Sequence, residues 1–188
     1  MSTAVTILGI VGSLRRDSYN RRLLRAAAEL SPQGVEVMAW DGLKAIPPFD
    51  EDDESAPATA VLELRRAIAE ADALLVVTPE YNGSLPGQLK NALDWASRPR
   101  AETVLRDRPA AVIGASPSPS GARSARADAR RVLTRAGARV VDRQLGVAAA
   151  YEHLGPAGEL ADEDLRSRLA EVVADVAREI RSPALAAA

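Results

Sequence analysis

The segment GSLRRDSYN, Gly12 to Asn20, sets two hydroxyls (Ser13, Ser18), an amide (Asn20) and a guanidinium (Arg15) between an apolar run and a helical stretch. All of these groups donate hydrogen bonds, and a helix start adds free backbone N–H groups and the positive end of its dipole. Charge-assisted bonds contribute about 1.5–3 kcal/mol each, so a few suffice to hold a phosphate monoester. An ordinary βα turn, with Ser18 as N-cap and Arg15 and Arg16 solvated, fits the same residues, and spacing alone leaves both readings open. A second stretch, TPEYNGSLPGQLKNALDW, follows another apolar run, with Pro79 restricting the backbone and Gly83 permitting a sharp turn. Tyr81 can cover a planar ring while backbone N–H groups and the Asn82 amide meet ring nitrogens and carbonyls; the other reading is a turn with a surface tyrosine.

Composition narrows the chemistry. The chain has 188 residues, 24 Lys and Arg against 26 Asp and Glu, a formal net charge of -2, no cysteine and one histidine, His153. Absent cysteine excludes disulfides and thiolate catalysis, and a single histidine makes the usual zinc ligand sets unavailable, so no metal site is expected. A near-neutral chain lacks the basic footprint of a nucleic-acid binder. No run approaches the 18 apolar residues of a membrane span, and the beginning MSTAVTILGIVGS lacks leader character, so a cytoplasmic protein is expected.

Five β-α units must position these loops. AVTILGIVG, VEVMAW, ALLVVT, AAVIGAS and RVVDRQLGV read as strands, the first of them apolar on both faces as in a covered parallel sheet. Helical stripes follow: Leu23, Leu24, Ala27 and Leu30; Val61, Leu64, Ile68 and Ala71; Leu85, Leu89, Ala92, Leu93 and Ala96; Ala125, Ala129, Val132, Leu133 and Ala136. The last runs from Leu165 to Ile180. Strict alternation implies right-handed crossovers and one domain over residues 1–188, with only the tail PALAAA of low complexity. Without a G-x-G-x-x-G or Walker pattern, the expectation is a flavodoxin-like, doubly wound, five-stranded parallel sheet of order 2-1-3-4-5 with helices on both faces. The ligand then sits beyond the carboxyl ends of the strands at the switch point between the first and third. There the segments 12–20, 79–83 and 116–121 meet.

With these motifs in these places, the sequence resembles the NADPH-dependent FMN reductase family, flavodoxin-like enzymes that include quinone, chromate and azo-dye reductases. GSLRRDSYN, IPPFDEDDE and ADALLVVTPEYNGSLPGQLKNALDW carry the resemblance. It implies that Ser13, Arg15, Ser18, Tyr19 and Asn20 surround an FMN phosphate, and that Pro79, Glu80, Tyr81, Asn82 and Gly83 line the ribityl chain and ring. Ser116 and Gly121 match the third loop, where SPSPSGAR replaces the family's glycine-rich stretch and is about one residue shorter. NADPH or NADH would be the electron donor, and a flavin, quinone or similar small molecule the acceptor. The resemblance also implies a homodimer or homotetramer.

Such chemistry needs no dedicated acid, base or nucleophile, because the flavin supplies it. A flavodoxin-like electron carrier without its own NAD(P)H activity is the alternative, as is a member whose altered third loop binds no flavin. Arg16, Arg123 and Arg126 are candidates for a 2′-phosphate. The acids Asp50 to Glu54 read as a solvated loop, or one bordering the substrate entrance or a subunit contact. Gln88, Asn91 and Trp95 share a helix flank, with Trp95 either a packed edge residue or an interface anchor. His153 reads as a loop residue.

Overall fold

The computed structural model describes residues 4–181, so the tail PALAAA lies outside the described residues. Six strands form one parallel sheet: β1 (Val5–Val11), β2 (Val35–Trp40), β3 (Ala73–Thr78), β4 (Pro109–Ala115), β5 (Arg139–Val140) and β6 (Leu145–Val147). Their order is β2-β1-β3-β4-β5, with β6 also on β4, as the alternating pattern predicts. Val5 lies opposite Val35, Ile7 opposite Ala73, and Leu74 opposite Ala110. The helices are α1 (Tyr19–Glu29), α2 (Thr59–Glu70), α3 (Gly87–Ala96), α4 (Arg123–Arg135), the single turn α5 (Ala150–His153) and α6 (Glu163–Arg181).

Alternation along the strands divides the core in two. Ile7, Val11, Leu75, Val77 and Ile113 face α1 and α6, whereas Leu8, Ile10, Leu74, Val76 and Val112 face α2, α3 and α4. Burial on both faces explains why β3 and β4 are continuous apolar runs. β2 differs: its burial alternates along most of its length, as suits an edge strand with one covered face.

The expected single fifth strand is broken. The partner offset from β4 grows from 30 residues at Pro109–Arg139 to 32 at Ile113–Leu145, a two-residue bulge. Polar side chains pull this segment outward. Arg143 binds Glu171 at 2.6 Å and Asp175 at 2.8 Å on α6, while Gln144 accepts from Arg126 at 2.7 Å on α4.

The flank of α3 has a structural task. Gln88 Nε2 donates to the carbonyls of Leu43 and Ile46, both at 2.8 Å; Asn91 accepts from Phe49 N–H at 2.7 Å and donates to Pro47 O at 2.7 Å. Trp95 Nε1 donates to the same Pro47 oxygen at 3.0 Å, and its ring meets Phe49 edge-on at 4.9 Å. Three residues at helical spacing thus staple segment 43–49 to α3. Trp95 is fully buried within this chain, which corrects the interface reading in favour of packing. The acids 50–54 are a short 3-10 turn, Glu51–Ser55, capped by Asp50 and tied to Arg98 through Glu54 at 3.3 Å.

Because Trp95 fills a sealed site and satisfies Pro47, Trp95→Ala should destabilise the fold by about 3–5 kcal/mol in urea unfolding. A loss under about 1 kcal/mol would show that segment 43–49 does not depend on it.

Candidate flavin site

The loops that follow β1, β3 and β4 meet where their strands end side by side. Gly12 N–H donates to Val77 O at 2.8 Å, and a Cβ placed on Gly12 would lie 3.3 Å from Pro79 Cδ. The first loop therefore turns directly against the second.

Within the first loop, Ser13 and Ser18 are buried, at 3% and 4% exposure. Ser18 caps α1 by accepting from Arg21 N–H at 3.1 Å, so the N-cap reading holds, and its hydroxyl proton remains free to donate. Arg15 is exposed, donating once to Asp17 O at 2.8 Å, with its other N–H groups free of protein partners. Asp17 is gripped on both oxygens by Arg22, at 2.9 and 2.7 Å, and Arg22 also reaches Leu154 O at 3.1 Å. Those bonds hold the Asp17 carboxyl below its ordinary range. Among the described residues, the backbone N–H groups of residues 13–20 make no hydrogen bond to the protein. Such a row of free donors at a helix start has the chemistry to receive an anion.

Two residues expected at the phosphate are engaged elsewhere. Asn20, 3% exposed, donates Nδ2 to Ala115 O and accepts from Ala115 N–H through Oδ1, both at 2.9 Å. It therefore ties the start of α1 to the end of β4, with one amide proton to spare. Tyr19 packs against the α1–α6 core, with the Arg22 guanidinium 5.3 Å from its ring centre.

In the second loop, Tyr81 and Ser84 exchange backbone bonds at 3.0 and 3.1 Å around Asn82 and Gly83, whose φ values are 51° and 76°. Two left-handed residues in a two-residue turn are what an Asn-Gly pair favours. Tyr81 stands half exposed, and the N–H groups of Glu80, Asn82 and Gly83 have no protein acceptor among the described residues. Glu80 points the other way: Oε2 accepts from Ser124 N–H at 2.8 Å and Ala125 N–H at 3.3 Å, capping α4.

The third loop is a ladder of hydroxyls. Ser116 Oγ lies 2.9 Å from Ser118 Oγ, which lies 2.8 Å from Ser120 Oγ, and the ladder is anchored by Ser116 N–H on Val147 O at 3.0 Å. Gly121 has φ 55°, and an added Cβ would fall 3.0 Å from the Gly146 carbonyl carbon, so it serves close backbone approach. Arg126 is committed to Gly121 O at 3.0 Å and to Gln144, and burial pulls its pKa down, leaving Arg16 and Arg123 as the exposed candidates for a 2′-phosphate.

His153 ends α5, 3.8 Å from Asp162, outside the three loops. No cluster of metal-binding side chains occurs among the described residues, and none of their helices is long and apolar enough to cross a membrane. A cleft of about 690 Å³ lies elsewhere, at the C-terminal ends of α3 and α4, lined by Arg98, Arg100 and Arg135. Arg135 lies in the last turn of α4, where a cation complements the helix dipole, and Arg98 is paired with Glu54.

A parallel sheet of this order, with free N–H donors gathered at its switch point, has the flavodoxin-like architecture. The model of the NADPH-dependent FMN reductase family matches residues 5–152, and the chain belongs to that family. It is 43% identical over 129 residues to a 2-hydroxy-1,4-benzoquinone reductase of Burkholderia sp., covering 69% of this chain and 70% of the relative. Identity to an NAD(P)H-dependent FMN reductase of Pseudomonas aeruginosa is 44% over 134 residues, 71% of each chain. The solved structure of FerB, an NAD(P)H:(acceptor) oxidoreductase from Paracoccus denitrificans, superposes with a TM-score of 0.86 at 32% identity, covering 94% of this chain and 97% of that one. The protein is accordingly an enzyme, an NAD(P)H-dependent FMN oxidoreductase, rather than a carrier.

The residues present fit FMN. Buried hydroxyls and a row of free N–H groups suit a phosphate, and the free N–H groups of a rigid turn suit a planar acceptor edge. Sequence reasoning missed Asp17, Arg22 and Asp128, whose side chains hold the loops. Asp128 had one signal: it is the single acid in the Arg-rich helix RSARADARRVLTR.

Asn20→Ala strands both backbone groups of Ala115 in a buried place. It should cost about 2–5 kcal/mol in denaturant unfolding and weaken FMN binding at least tenfold, whereas a loss confined to FMN affinity would return Asn20 to the phosphate.

Proposed function

We propose that this chain binds FMN through the 13–20 cradle and reduces quinones, or similar small acceptors, at the expense of NAD(P)H. The observation that supports the reading most is the unbroken set of backbone N–H groups from Ser13 to Asn20 without a protein acceptor, beside two buried serines. Relatives named as quinone reductases support the choice of acceptor.

When bound, FMN supplies the two-electron chemistry, so the protein needs no acid, base or nucleophile of its own. Ser13, Ser18 and the loop N–H groups hold the phosphate, and Arg15 closes over it from the solvent side. Pro79 to Gly83 line the ring, with the N–H groups of Asn82 and Gly83 as donors where negative charge gathers. Ser116 forms the floor of the third loop, and Gly121 lets that loop lie close against β6. Glu80 acts through α4, and Tyr19 and Asn20 through the packing of α1. The reading includes one domain over residues 1–188, a homodimer or homotetramer, and a place in the cytoplasm. Family resemblance supports the assembly, and the lack of cysteine is compatible with the compartment.

The test is turnover. Protein loaded with FMN should oxidise NADPH or NADH with a benzoquinone or ferricyanide present, and a rate no higher than that of free flavin would refute the reading. Arg15→Ala should raise the Kd for FMN by roughly 5–150-fold, matching the loss of about 1–3 kcal/mol of charge-assisted bonding, with unfolding unchanged. An unaltered Kd would remove Arg15 from the site.

A further inference from the structure

The Asn82–Gly83 turn is tied to α4 at both of its ends. On one side Glu80 accepts from Ser124 and Ala125 N–H, and on the other Ser84 Oγ donates to Asp128 Oδ2 at 2.6 Å. Residues 124 and 128 stand one helical turn apart on the same face of α4, so a straight, rigid element spans the turn. The second carboxylate oxygen of Asp128 accepts from Arg131 at 2.9 Å, which fixes the orientation in which the acid meets Ser84. Beyond this bond, Ser84 reaches the rest of the turn only through its backbone exchange with Tyr81.

We propose that Ser84 and Asp128 are positioning residues that clamp the 80–84 turn to α4, holding the free N–H groups of Asn82 and Gly83 at fixed places for the flavin ring. The proposal rests on the flavin-site reading above. The Tyr81–Ser84 exchange holds the turn internally, so what remains to be fixed is its placement on the protein, and backbone donors stabilise developing charge only when they need not reorganise. Glu80 alone leaves the turn hinged at one end. The Ser84–Asp128 bond closes the other end, so its loss acts on the electronics of the bound flavin more than on the stability of the fold.

The experiment compares Ser84→Ala, Asp128→Ala, the double variant and Asp128→Asn with wild type. FMN Kd, the midpoint potential of the bound flavin, its visible spectrum and the unfolding midpoint of each apoprotein are measured. Each alanine variant should raise Kd about 3–10-fold and lower the preference for reduced over oxidised flavin by up to about tenfold, a shift of about -30 mV for a two-electron couple. The double variant should match the single ones, because both remove one bond. Asp128→Asn, which keeps one oxygen for Ser84 but loses the acceptor for Arg131, should fall between wild type and Asp128→Ala. Unfolding midpoints should hardly move. Wild-type Kd and potential in the alanine variants, additive effects in the double variant, or Asp128→Asn behaving like Asp128→Ala would each overturn the proposal. If the wild-type chain itself binds no FMN, the flavin-site reading falls and the clamp falls with it, a result visible before any variant is compared.

Discussion

The paired hydrogen bonds between Asn20 and Ala115 are the constraint on which the site depends. One side chain at the start of α1 satisfies both backbone groups of the residue that ends β4, 95 positions away in sequence. In a buried setting neither partner has water to fall back on, so the pair is strongly determined. It fixes where the first loop stands relative to the third. Gly12, bonded to Val77, fixes the first relative to the second, and Glu80 joins the second to the helix that follows the third. Three loops that are remote in sequence are thereby wired into one frame.

That frame is built so that its backbone stays free. Side chains take over the hydrogen bonds that would otherwise tempt the loops to fold on themselves: Arg22 holds Asp17, Asn20 holds Ala115 and Asp128 holds Ser84. The N–H groups of residues 13–20 and of Asn82 and Gly83 are left pointing at no protein acceptor. Donors arranged in this way suit an anion and a planar ring, with the redox chemistry left to the bound group.

Much of this was legible in the sequence, for identifiable reasons. Strands buried on both faces have to be apolar throughout, so ALLVVT and AAVIGAS announce a parallel sheet, and the loops at its switch point follow from the order of the units. The break in RVVDRQLGV was not legible, because Arg143 is drawn out by Glu171 and Asp175, 28 and 32 residues later on α6. Trp95 reads as either a packed edge residue or an interface anchor because its position on the helix says nothing of segment 43–49 crossing over it. Asn20 reads as a ligand contact from its chemical type and Glu80 from the family resemblance, but neither type nor resemblance tells which backbone groups of this chain a side chain meets. Their actual partners are backbone groups that only the folded chain brings near.

The central claim is that the three loops at the carboxyl ends of β1, β3 and β4 together receive FMN. Backbone hydrogen exchange of the whole chain, with and without FMN, tests it directly. The account predicts new protection concentrated in residues 13–20, 80–84 and 116–121, with the α3–α4 cleft at Arg100 and Arg135 unchanged. Protection centred on that cleft, or none in the 13–20 segment, would contradict it.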